Sequence, residues 1–284
     1  MITAKECEIW KGTRFTPWVK WNRVVPKYKI IVFDLDETIG CFGELFILWA
    51  GIRHIESSFQ KFNELLDLYP EFFRHGILSI LCFLQSLKEG NKIHSLMVYT
   101  NNQCGPEWLS FLMDYIDFKC EKKIFDQYIG AYDKKMDQKR STHKKTYSDF
   151  IQFLSLPPEE VEICFIDDRI HPFMKQSLVY YISPRPYLHS LSWNNIIHRF
   201  LDQKWFSSSS LLSNVSFWRY WKSLHHKNHY TPKNMYMDIL VSQKIVAHVK
   251  EFIQWGNIKS HREYKKKTLK KKTNLRRTRR LLRK

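Results

Sequence analysis

The sequence predicts an α/β fold built on a central parallel sheet, with helices on its faces. Short apolar, β-branched runs alternate along the chain with segments of helical period, the pattern of strands joined by helical crossovers. Three of these runs end abruptly in polar residues, Asp34, Thr100 and Asp167. In parallel sheets ligands bind beyond the carboxyl ends of the strands, so that coincidence also marks a site. Hydrophobic residues make up 44% and aromatic residues 15% of 284 positions, enough to bury a sizeable core.

Residues 1–27 are mixed and charged and read as an N-terminal extension without a signal-peptide apolar core. The run YKIIVF, residues 28–33, predicts a strand buried on both faces. From residue 39 to 89 the period is mostly helical, with a break at Tyr69-Pro70 and a turn at Gly90-Asn91. Residues 47–69 are the candidate for a small helical cap insertion. HSLMVY, residues 94–99, predicts the second strand. Residues 106–118 predict a helix whose inner face is Trp108, Leu109, Leu112 and Ile116.

Residues 124–132 predict a third strand, and 133–145 a polar, basic loop. Tyr147, Phe150, Ile151 and Leu154 have helical spacing within 146–156, ended by Pro157-Pro158. VEICFI, residues 161–166, and residues 179–182 predict two more strands. Residues 28–186 thus form the predicted α/β body. Residues 187–258 form a helical, Trp-rich extension with a loop at Ser207–Ser210 and a helix at 241–255, and residues 259–284 a basic, disordered tail.

The first chemical motif is Asp34-Leu35-Asp36-Glu37-Thr38, directly after the apolar strand. Two carboxylates two positions apart in extended chain share a side. One can attack phosphorus, and the other can protonate a leaving oxygen and then activate water. Thr100, after LMVY, offers a hydroxyl to a phosphoryl oxygen or to the start of the next helix. Asp167-Asp168, after VEICFI, pairs two hard oxygen donors at a strand end, which suits Mg²⁺.

Together these motifs resemble the haloacid dehalogenase superfamily, in order and spacing from about residue 28 to 186. DLDET is closest to the carboxy-terminal-domain and NLI-interacting-factor-like phosphatases, a form that large DNA viruses also carry. The resemblance implies a Rossmannoid three-layer fold with at most a small cap. It implies Asp34 as nucleophile, Asp36 as general acid/base, and Mg²⁺ held by Asp34, Asp36 through its backbone carbonyl, Asp167 and Asp168. Thr38, Asn101 and Lys145 would contact substrate. A lysine completes the family's site some two dozen residues before the last acidic motif. Lys144 and Lys145 lie 23 and 22 residues before Asp167, Lys134 and Lys135 are rivals, and Lys144 is preferred. The implied activity is a Mg²⁺-dependent phosphatase acting on phosphoserine or phosphothreonine in proteins. Alternatives are a nucleic-acid end-processing or small-molecule phosphatase, and a catalytically silent binding module of the same fold. YTNN and the lysine spacing differ from the carboxy-terminal-domain group and look more like generic members of the superfamily.

The formal net charge is +18, and residues 259–284 alone supply +13 of it. The body is therefore only mildly basic. The tail reads as a nucleic-acid-binding arm or an import signal recognised by a receptor. Six cysteines without a CxxC pair fit a reducing compartment better than a disulfide framework. The longest apolar stretch, 76–87, is too short to span a bilayer, so the expected location is cytoplasmic or nuclear. His225, His226 and His229 lack a metal-site frame, and the Trp residues at roughly helical spacing read as packing groups.

Overall fold

In this computed structural model, residues 6–17, 26–52, 59–131, 140–203 and 235–255 are described. The expected loop at Ser207–Ser210, Lys134, Lys135 and the basic segment 259–284 lie outside them. Six strands form one sheet: β1 (Cys7–Lys11), β2 (Tyr28–Phe33), β3 (Ser95–Tyr99), β4 (Gln127–Ile129), β5 (Val161–Ile166) and β6 (Val179–Pro184). Their order is β1-β6-β5-β2-β3-β4, parallel except for β1, which pairs antiparallel with β6.

The continuous apolar runs put β2 and β5 at the centre because only central strands are covered on both faces. Ile30, Ile31, Val32 and Phe33 are all fully buried. Alternate side chains serve opposite layers. Ile31, Phe33, Cys164 and Ile166 face one core, which takes in α1 (Gly43–Ile52), α2 (Phe59–Leu68), α3 (Ile77–Glu89), α4 (Pro106–Cys120) and α6 (Trp193–Leu201). It also takes in a helix over residues 235–255, here α7. Ile30, Val32, Ile163 and Phe165 face the other core, under α5 (Tyr147–Leu154). The architecture is a three-layer, Rossmann-like α/β arrangement.

Helix ends follow local chemistry. Pro106 opens α4 and Glu121, at φ 53°, closes it in the left-handed region. The Thr146 hydroxyl accepts from Asp149 N–H at 3.1 Å and caps α5. Of residues 47–69, expected as a cap, 53–58 lie outside the described residues; 47–52 belong to α1 and 59–68 to α2, and Phe46 and Phe62 both meet Trp108 of α4 edge-on.

Three features differ from the sequence expectations. The N-terminal segment supplies β1, whose mixed CEIWK pattern hides an edge strand. The third parallel strand, β4, covers only three residues of the run 124–132. Cys82 on α3 and Cys120 on α4 form a disulfide, which cysteine spacing did not suggest because the packing of the two helices brings them together. Glu162 explains the one charge inside VEICFI. It is buried and pairs with Arg14 at 2.6 Å and Lys29 at 2.5 Å, at the end of the sheet away from the motif residues. Among the described residues no helix is long and apolar enough to cross a membrane.

Candidate active site

The chain leaves β2 toward β3 and β4 on one side, while β5 and β6 lie on the other, so the order reverses at β2. A crevice opens beyond the carboxyl ends of strands at such a point. Each motif residue there extends its strand by one backbone bond. Asp34 N–H donates to Ile166 O at 2.8 Å, Asp167 N–H to Ile182 O at 3.1 Å, and Thr100 N–H to Ile129 O at 2.9 Å. Sheet register thereby fixes the backbone under all three side chains.

Lys145 joins two of them. Its Nζ donates to Asp34 Oδ1 at 2.5 Å and to Asp167 Oδ2 at 2.7 Å, and all three side chains are buried. Burial alone would lower the Lys145 pKa, but the two carboxylates outweigh it and raise it. Burial, opposed by Lys145 and reinforced by Asp167, pushes Asp34 up to about 7. Burial also opposes ionisation of Asp167, yet the hydrogen bond from His171 and the Lys145 charge hold its carboxyl below the usual range. His171 Nε2 stands 3.2 Å from Asp167 Oδ2.

The loop after Asp34 is tightly wound. Glu37 takes a left-handed φ of 61°, and its N–H donates to Gly40 O at 2.7 Å. At Gly40 a Cβ would lie 2.5 Å from Phe72 O, so only glycine fits the close approach. Arg74, 1% exposed, holds the loop from behind: Nε donates to Thr38 O and Nη2 to Glu37 O, each at 2.6 Å, and Nη2 also reaches Arg185 O at 2.9 Å.

Asp36 accepts from Asn102 Nδ2 at 2.8 Å. Its pKa is raised, first by burial and against the pull of Asn102. Asp34, Asp167 and Asp168 bring carboxylate oxygens within 4.8 Å of one another. Asp168 Oδ2 is buried without a hydrogen-bond partner, and burial with the charges of Asp167 and Glu37 pushes its pKa up to about 6. Three crowded carboxylates, one oxygen left unsatisfied and two raised pKa values form a donor set that fits a hard divalent cation. Asp36 is not among these clustered side chains.

The structure brings some of the expected residues into the crevice and leaves others outside it. Lys144 was preferred, but Lys145 enters the site, while Lys144 stays exposed with Nζ 5.2 Å from the Phe173 ring centroid. Asn101, expected at the substrate, is exposed, and its neighbour Asn102 makes the contact to Asp36. Thr38, also expected at the substrate, is fully buried. Its hydroxyl accepts from Asp168 N–H at 3.0 Å and donates to Asp168 Oδ1 at 3.2 Å, so it ties two loops together. Thr100 accepts from Asn102 N–H at 3.0 Å, which leaves its own hydroxyl proton available. Arg74, Asn102 and His171 had no assigned role in the sequence reading. From YTNN the sequence reading took Asn101 rather than Asn102, and Arg74 gave no signal because its partners are backbone carbonyls.

Set against protein-family models, curated proteins and solved structures, the chain matches none.

Proposed function

We propose that the chain is a Mg²⁺-dependent phosphomonoester hydrolase of the haloacid dehalogenase type, working through an aspartyl-phosphate at Asp34. The observation that carries this reading is Lys145 Nζ in contact with both Asp34 and Asp167, from three separate segments meeting at the switch point. An ammonium buried there holds one carboxylate in a fixed position and supplies positive charge where a phosphoryl group would enter.

In the first step an Asp34 oxygen attacks phosphorus in line, and the bond from phosphorus to the ester oxygen breaks. Asp36 gives its proton to that leaving oxygen, a role its raised pKa suits. In the second step water attacks phosphorus and passes a proton to Asp36. The bond between phosphorus and Asp34 then breaks, releasing inorganic phosphate and restoring the carboxylate. Asn102 orients Asp36 throughout. A divalent cation held by Asp34, Asp167 and Asp168 would offset the negative charge of the phosphoryl oxygens. Arg74 and Thr38 act indirectly, by fixing the loop on which Asp36 rides.

The test is hydrolysis of an aryl phosphate with and without Mg²⁺, comparing wild type with Asp34→Asn. Mg²⁺-dependent turnover that disappears in the variant is the expected result. Equal turnover in the two proteins would remove Asp34 as nucleophile. A wild type that binds a phosphate analogue without turning over any ester would favour the binding-module alternative.

A further inference from the structure

The rim of the site carries side chains that neither the fold nor the proposed chemistry uses. Beyond Asp168 the chain runs through Arg169, Ile170, His171 and Phe173 before Met174 returns to the core, fully buried. Phe173 is 53% and Ile170 44% exposed. The Arg169 side chain is exposed, and its ion pair with Glu37 is long at 3.6 Å. Lys144 faces this segment from the other loop, over the Phe173 ring.

This rim is held in place. Tyr181 Oη donates to Arg169 O at 2.5 Å and accepts from His171 N–H at 3.1 Å, and His171 reaches Asp167. Phe173 sits in a 3-10 turn at Pro172–Met174, anchored by Met174. An aromatic ring left half in water on an anchored turn is an available stacking face. Here it lies on the segment that follows two candidate metal-holding carboxylates, and Lys144 beside it is the chain neighbour of Lys145. A planar ring to cover Phe173, joined to a phosphate at Asp34 and passing between cations, is the chemistry of a nucleotide. A phosphoserine side chain carries no ring for that face.

Resting on the phosphatase reading, we propose that Phe173, with Lys144 and Arg169, forms a platform that selects phosphomonoesters of nucleosides, the base stacking on Phe173 while the phosphate sits at Asp34. The source is either a free nucleotide or the phosphorylated end of a nucleic-acid strand, which share this chemistry.

The experiment measures kcat/KM for thymidine 3′- and 5′-monophosphates, oligothymidylates phosphorylated at either end, glycerol phosphate and a phosphoserine peptide. Wild type is compared with Phe173→Ala and Phe173→Trp. The selectivity for thymidine phosphates over glycerol phosphate should fall on the order of tenfold in Phe173→Ala, the size of one lost base stack, and be kept in Phe173→Trp. A salt-sensitive preference for the oligonucleotide that weakens in Lys144→Ala assigns the strand end, and equal use of both assigns the free nucleotide. Selectivity unchanged in Phe173→Ala, or a wild type that prefers the phosphoserine peptide, overturns the proposal.

Binding separates this proposal from the phosphatase reading. Anisotropy with a labelled, end-phosphorylated oligothymidylate on Asp34→Asn should show weaker binding when Phe173→Ala is added. If the wild type hydrolyses nothing while that loss appears, the catalytic reading fails and the platform stands. If binding is unaffected, the platform fails whatever the turnover.

Discussion

Replacing Lys145 by Met tests how the site carries its charge. The ammonium contacts Asp34 and Asp167, and all three groups are buried. Removing one partner of a buried ionic group costs on the order of 3–5 kcal/mol when the remaining charges keep their ionisation. They need not keep it, because a proton can stand in for the ammonium. Burial already pushes Asp34 up to about 7 from an ordinary value of 3.8, and each unit between folded and unfolded values is worth about 1.4 kcal/mol. A carboxyl raised in the folded state binds more protons there than when unfolded. Stability is therefore lost as pH rises from about 4 through the folded value, and the folded form is favoured below it. Without Lys145 the Asp34 value rises further and the penalty grows with pH. In urea unfolding with EDTA, Lys145→Met should lose about 3 kcal/mol at pH 8, a midpoint shift of roughly 1.5 M for a slope near 2 kcal/mol per molar. At pH 5.5, where Asp34 is protonated in both proteins, the loss should be about half as large. A loss under 1 kcal/mol at pH 8, or an equal loss at both pH values, would refute this account of the site.

Other consequences follow from the same contacts. Mg²⁺ should raise the wild-type melting temperature at pH 8. The rise should shrink at pH 5.5, where protons compete at Asp34 and Asp168, and should disappear in Asp168→Asn; an equal rise in that variant would exclude Asp168 as a ligand. Arg74→Met removes three hydrogen bonds from a charged donor, two to loop carbonyls and one to Arg185 O, and should cost about 3 kcal/mol in urea unfolding, with turnover falling in the protein that remains folded. Gly40→Ala should cost about 1–3 kcal/mol, because the new methyl meets the Phe72 carbonyl. A neutral result there would mean that the loop relaxes freely.

The central strands were legible because burial on both faces leaves a continuous apolar run, which YKIIVF and VEICFI display. The acids at their ends were legible because a carboxylate directly after such a run has a restricted position. What was not legible depended on direction or on distant partners. Lys144 and Lys145, like Asn101 and Asn102, are consecutive, and neighbouring side chains in non-helical chain point opposite ways. The tertiary path of the 140–145 segment, with Arg140 Nη1 donating to Thr100 O at 3.1 Å, selects Lys145 for the interior. β1 carries no alternation that marks a strand, and its pairing comes from β6 far along the chain. Arg74 reads in sequence as an interruption of an aromatic stretch, since its duties are to backbone atoms that any residue would present.

The most direct measurement of the central claim is the site of covalent phosphorylation. The protein is mixed with a rapidly cleaved phosphomonoester in the presence of Mg²⁺, quenched in acid within the first turnover, and mapped by mass spectrometry. The account predicts one phosphoryl group on Asp34, absent from Asp34→Asn. Turnover without a phosphoryl group on Asp34, or with the group on another residue, would contradict it.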